Sequence, residues 1–234
     1  MTATLALCFD APMQSWGLRS CGVLRDTALE PTKSGVVGLL AAAMGVERDD
    51  EAGIAELAAL RLGIRVDREG LLERDYQTAQ NVPTTLGTGH RTVVSERYYL
   101  ADALFLVALE GPGTLLGQLA DAVRAPRWPL CFGRRAFVPA RPVLSGIHDG
   151  TLERTLREHP WLEHPGRAAV GNHQERPGLR TVVDCGVREA GAQPRHDVPL
   201  SFARTARRFA TRAVRIGEVP LTDDLITTGE PPCS

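Results

Sequence analysis

Lysine is almost absent: the 234-residue chain has 27 basic residues, and of these only Lys33 is a lysine. Any reaction that needs an ammonium group to steady developing charge must therefore converge on that position. A P-loop is excluded there, because the motif needs Gly directly before the Lys and this chain has Thr32. Aromatic residues make up 5% of the chain, and nothing matches the aromatic signature of an RNA-recognition-motif sheet. The 5 cysteines are odd in number, scattered and without a C-x-x-C pair, which argues against a disulfide framework or zinc knuckle. The 6 histidines form no H-E-x-x-H and no i, i+4 pair, and no G-x-S-x-G occurs, so no metal, cofactor or catalytic serine is expected. No apolar run approaches the roughly 20 residues of a membrane span. The opening MTATLALCFDAP carries no positive charge ahead of its short apolar stretch; it reads as a first strand rather than a signal peptide, and a cytoplasmic location is expected.

The charge that is present is unevenly spread. A formal net charge of −1 argues, taken alone, against a nucleic-acid partner. Yet Arg124, Arg127, Arg134, Arg135 and Arg141 follow one another with no acidic residue between them, as do Arg204, Arg207, Arg208, Arg212 and Arg215. Acidic residues collect in 47–75, 101–123 and 218–234. The preference for Arg over Lys has a bland source in a GC-rich genome and a functional one in bidentate phosphate contacts. The acid-free clustering is the stronger signal, and each block is expected to be able to line a phosphate backbone.

Hydrophobic periodicity supplies the elements. Leu5, Leu7 and Phe9 alternate in a first strand, and TKSGVVGLLAAAMGV (32–46) has helical spacing between a Pro-Thr start and a Gly stop. A short helix at 50–60 leads into the strand LGIRV. Residues 76–100 are polar and rich in Gly and Thr, with all 3 tyrosines at their edges (Tyr76, Tyr98, Tyr99), and read as a protruding hairpin. The strand ALFLVALE (103–110), the helix 113–126, a basic turn and the strand PARPVLSGI complete a β-α-β-loop-β-α-β order. That order suits an α+β, ferredoxin-like (RRM-like) domain over 1–147 with a thumb hairpin, followed by a smaller β-rich portion over 148–234 packed on it.

The blocks APMQSWG (11–17), EPTKSGVVGLLAAAMGVERDD (30–50), RDYQT (74–78), RYYLADALFLVAL (97–109), APRWPLCFGRRAFVPARPVLSG (125–146) and VPLSFARTARRFATRAV (198–214) resemble the CasD family. This is CRISPR-associated family five, a subunit of the type I-E Cascade surveillance complex. The resemblance implies a non-catalytic, RNA-binding subunit that grips the crRNA 5′ handle, meets the neighbouring backbone subunit and the large subunit, and reaches target DNA through the complex in antiviral defence. It further implies that Gln14 and Trp16 border the RNA groove, and that Arg25, Lys33 and Ser34 approach the handle phosphates. Tyr76, Arg91 and Arg97 are expected on the hairpin and its base, while Arg127, Arg134 and Arg135 neutralise the backbone. An endoribonuclease that matures pre-crRNA without metal, using Lys33, is the alternative; a scaffold that contacts only proteins is a third.

Overall fold

The computed structural model describes residues 2–18, 22–84, 87, 89–164 and 178–226. Cys21, Cys233 and His173 lie outside the described residues. In chain order the elements are β1 (Ala3–Asp10), β2 (Met13–Gln14), β3 (Leu24–Arg25), α1 (Lys33–Met44), α2 (Glu51–Ala58), β4 (Arg61–Arg68), β5 (Leu71–Pro83), β6 (His90–Ala101) and β7 (Leu104–Gly111). They continue as α3 (Gly113–Arg124), β8 (Leu144–Asp149), α4 (Leu152–Glu158), β9 (Leu179–Cys185), β10 (Ala192–Ser201) and β11 (Arg208–Val219).

A seven-stranded sheet runs β10-β11-β9-β4-β7-β1-β8, with antiparallel neighbours throughout. Alternation sends side chains to both faces, and at the central strands β1, β7 and β4 both are covered. Leu5, Leu7 and Phe9 of β1, with Ile64 and Val107, pack against the apolar sides of α1, α2 and α3. Ala6, Leu106, Ala108 and Val183 face the other way, onto Leu152 and Leu156 of α4. Gly63 has no side chain because one there would meet Leu156 and Leu152 at about 3 Å. The strands beyond residue 148 continue this same sheet, joined through β9 to β4 in the register Gly63↔Val183.

Charged side chains lock the layers together. Lys33 begins α1 yet is 6% exposed. Its Nζ bonds Asp184 on β9 at 2.8 Å, and its backbone N–H donates to Asp197 on β10 at 2.8 Å. Arg212 of β11 grips both carboxylates. Burial pushes the Asp197 carboxyl up, but the Arg212 guanidinium and Lys33 more than offset this and hold it below the usual range. On the opposite face, Arg65 and Asp67 of β4 form a bidentate pair with both side chains fully buried. The remaining Arg65 donors meet the carbonyls of Leu156, His159 and Pro160, which fasten α4 and the segment after it to the sheet.

His159 sits in this second cluster, 7% exposed. Its Nδ1 contacts the Pro160 carbonyl at 2.9 Å, which places the proton there, so Nε2 accepts from the Ser145 hydroxyl at 2.8 Å. Burial pulls its pKa from 6.5 down to about 4, and the nearby charges of Arg65 and His148 act in the same direction against the Pro160 carbonyl and Asp67. The folded protein therefore keeps His159 neutral while the unfolded chain takes up a proton below pH 6.5. Stability is expected to fall by up to about 3 kcal/mol as pH drops from 6.5 towards 4. Urea midpoints of the wild type and His159→Gln across that window check this: the variant should lose most of the slope.

A second, smaller sheet is built on β6. β5 pairs with it along the whole hairpin, while β2 and β3 lie along its other edge. Nearly every residue of β5 is exposed, so this ribbon stands out from the core. Only its base is anchored, by Leu100 in the core and by Tyr99 against Phe137.

Candidate nucleic-acid interface

Strand parity decides what the hairpin presents. Side chains directly opposite in paired strands share a face, and neighbours along a strand alternate. Asp75 of β5, Arg97 of β6 and Arg25 of β3 lie in one row. The adjacent row, Tyr76, Glu96 and Leu24, faces the other way. Tyr76 is 62% exposed and Leu24 52%, and Arg74 on that side is paired with Glu96, so the arm has an arginine face and a mixed face whose charges are already matched.

Arg134 joins the arginine face from the basic turn. Gly133 has φ +91°, and a Cβ there would run into the backbone carbonyl of Ser15. The Ser15 N–H donates to the Phe132 carbonyl at 3.0 Å, and Phe132 N–H to the Phe137 carbonyl at 2.8 Å, closing a tight loop. Arg134 then donates to the Tyr98 carbonyl at 2.7 Å, with its guanidinium 5.2 Å from the Phe137 ring centre. Burial, then the positive charges of Arg97 and Arg25, push the Arg134 pKa down against the pull of Asp75. Arg97 bonds only Ser95 Oγ, at 3.2 Å, and neither it nor Arg25 has an ion pair among the described residues. Three converging guanidiniums with one carboxylate nearby leave positive charge to be met by an anion, and phosphate suits their planar donors. Gly133→Ala is expected to cost at least about 2 kcal/mol, since backbone cannot yield as a side chain can. Thermal denaturation measures it, and the same substitution should weaken any ligand that depends on Arg134.

Other residues expected at the interface are placed differently. Gln14 is fully buried, and its Nε2 donates to the Phe9 and Ala103 carbonyls at 3.1 and 2.8 Å. Trp16, 1% exposed, stacks on Phe9 at 5.5 Å. A side chain on Gly35 would meet the Trp16 ring at 2.7 Å. Gln14 therefore supports the rim from beneath, its amide N–H groups held by two carbonyls, whereas Trp16, though packed on Phe9, keeps an edge on the groove described below. Lys33 is held by Asp184 rather than turned to a ligand. Arg127 is exposed but lies over Gly45 at the C-terminal end of α1, the opposite end from Ser34. Arg91 is exposed farther out on the arm, beyond the bulge between Ala79 and Val82, and Arg135 is exposed beside Arg134.

The arginine blocks are also less free than their sequence implies. Arg124 pairs with Asp121, Arg141 with Asp10, Arg208 with Glu51, Arg215 with Glu189 and Arg212 with Asp184 and Asp197. Apart from Asp121, three residues before Arg124, these acids are distant in sequence and are brought in by folding, so neither block lines a surface as a unit.

Next to the arginine face opens a groove of about 410 Å³. It is lined by Ser34 and Thr32 at the start of α1, by Trp16 and Gly133, and by Phe202, Arg207 and Phe209. Arg207 was named by sequence only as a member of the second acid-free block and the phenylalanines not at all; their signal was two aromatics inside the arginine-rich SFARTARRFATR.

Comparison with known proteins bears on the family and the fold. The profile of the family described as CRISPR-associated protein (Cas_Cas5) matches residues 4–215. The CRISPR system Cascade subunit CasD of Escherichia coli (strain K12) is 32% identical over 160 residues, covering 62% of this chain and 71% of that protein. A solved structure titled "Crystal structure of Cas protein" is 37% identical, with a TM-score of 0.71 over 93% of this chain and 95% of its own. A chain of a "CRISPR RNA-guided surveillance complex" is 34% identical, with a TM-score of 0.77 over 93% of this chain and 91% of its own. With its mixed helices and large antiparallel sheet matched along nearly its whole length, the chain belongs to the Cas5 family of CRISPR-associated proteins.

Proposed function

We propose that this protein is a non-catalytic subunit of a Cascade-type surveillance complex, working in the cytoplasm, that holds the 5′ handle of the crRNA and meets neighbouring Cascade subunits, with target DNA reached through the complex. The convergence of Arg25, Arg97 and Arg134 on one face of an exposed arm carries this reading. Its similarity to the Escherichia coli Cascade subunit and to a chain of an RNA-guided complex supports the partners. No described helix is long and apolar enough to cross a membrane. In the same reading, residues 1–147 form a ferredoxin-like RNA-binding domain, and β9, β10 and β11 extend its sheet from the β4 edge. The strand order β8-β1-β7-β4 with α1 and α3 as crossovers supports the ferredoxin-like assignment. Lys33, the one lysine, spends its ammonium on Asp184, which supports a binding role over cleavage.

The test is to purify the chain with its complex and sequence the RNA that accompanies it. Enrichment of crRNA carrying a repeat-derived 5′ end is expected; its absence overturns the reading. Incubation of the chain with repeat RNA in EDTA is expected to leave the RNA intact.

A further inference from the structure

The chain has 6 phenylalanines. Phe9, Phe105, Phe132 and Phe137 are at most 7% exposed. The two that keep part of their rings outside the core, Phe202 and Phe209, both stand on the groove beside α1. They meet edge to face, with ring centres 6.4 Å apart at 66°. Arg207 lies between them in sequence, exposed and without an ion pair among the described residues. The hydroxyls of Ser34 and Thr32, 3.3 Å apart, line the same groove, with Ser34 half-buried. Trp16, also lining the groove, has an indole N–H with no hydrogen-bond partner among the described residues.

A volume of about 410 Å³ falls in the range of small-ligand pockets, about 300–1,000 Å³. Aromatic rings beside a free guanidinium are the combination by which proteins take unstacked bases of a single strand. A protein knob would be better served by apolar walls than by Ser15, Thr32, Ser34 and Arg207. The groove also adjoins the arginine face. Gly133 lines it, Arg134 follows in the chain, and Ser15 Oγ and Arg134 Nη2 both donate to the Tyr98 carbonyl, at 3.3 and 2.7 Å.

We propose that this groove is a pocket for one flipped-out nucleotide of the bound single strand, with the base against Phe202 and Phe209 and a phosphate on Arg207. The proposal rests on the RNA-binding reading and deepens it. The arginine face holds backbone irrespective of sequence, whereas the pocket sets which position of the strand is anchored.

The experiment measures binding of the full chain to a single-stranded repeat-derived RNA and to a series of the same RNA, each member lacking one base. The wild type should lose about tenfold in affinity at one position of the series and little elsewhere, the scale of one base–aromatic stack. Phe209→Ala should lose a similar factor on intact RNA and no longer respond to that missing base. Arg97→Ala should bind every member more weakly while keeping the dip. If the wild type binds no repeat RNA, the RNA-binding reading itself fails. If it binds but shows no position-specific dip, or if Phe209→Ala keeps the wild-type profile, the pocket proposal is overturned while the RNA-binding reading stands. Should Phe209→Ala not fold, Arg207→Gln and Phe209→Leu serve instead, with a reduced dip expected and an unchanged dip contradicting the proposal.

Discussion

Asp67→Ala should lower folding stability by about 3–5 kcal/mol, a large share of what a domain of this size has. The carboxylate is the sole charge partner of Arg65 among the described residues, bonded at 2.7 and 2.9 Å with both side chains fully buried. Its removal strands a guanidinium where water cannot reach. Asp67 Oδ2 also accepts the Leu162 N–H at 2.8 Å, so the segment after α4 loses an anchor as well. Replacing the pair together, Arg65→Met with Asp67→Leu, removes the stranded charge and should recover part of the loss. Recovery stays incomplete because the carbonyls of Leu156, His159 and Pro160 are left without their donor. Urea unfolding gives all three stabilities; a loss under about 1 kcal/mol for Asp67→Ala would contradict the account.

The combined Arg25→Ala, Arg97→Ala, Arg134→Ala variant should bind single-stranded RNA about 100-fold or more weakly at physiological salt while keeping its fold. Charge-assisted hydrogen bonds contribute about 1.5–3 kcal/mol each, so Arg97→Ala alone should lose roughly tenfold. The slope of log K against log salt should flatten by about 2 for the triple variant, since each single-strand phosphate contact contributes about 0.7. Arg134→Ala with Arg135→Ala should fall between the single and triple variants. Tyr76→Ala is the informative contrast, because parity sets Tyr76 on the arm's other face; its effect on RNA affinity should be far smaller than that of Arg97→Ala. Equal effects from the two would mean that RNA does not choose between the faces.

Periodicity located most elements closely. The expected strand around Leu5–Phe9, the helices near 32–46 and 113–126 and the buried run at 103–110 are β1, α1, α3 and β7. The polar excursion is the β5–β6 hairpin, legible because Thr- and Gly-rich polar sequence of that length cannot bury itself. β10 was not read as a strand, since Pro194 and Pro199 interrupt its pattern; it tolerates them as an edge strand. The join of β9 to β4 depends on a register across more than 100 residues, which no local pattern encodes.

The site was legible in kind and not in detail. Arg25, Arg97 and Arg134 could be named individually, but their meeting depends on β3 pairing with β6 and on Gly133 allowing the turn to close on Ser15. Lys33 carried the same signal as a phosphate ligand because Asp184 and Asp197 lie more than 150 residues away in sequence. Gln14 looked available as a polar residue after a strand, yet two backbone carbonyls claim it.

The burial of Lys33 has a practical side. As the only lysine, and sealed between α1 and β9, it leaves the folded surface without a side-chain amine. Amine-reactive crosslinkers that map neighbours in a large particle will find no side chain to react with on the folded surface of this subunit, so its contacts are better mapped with reagents aimed at carboxylates or guanidiniums. The same property turns Lys33 into a built-in reporter: its ε-amine becomes available to an acylating reagent only when the α1, β9 and β10 junction opens, so the rate of its labelling follows the opening of that part of the sheet.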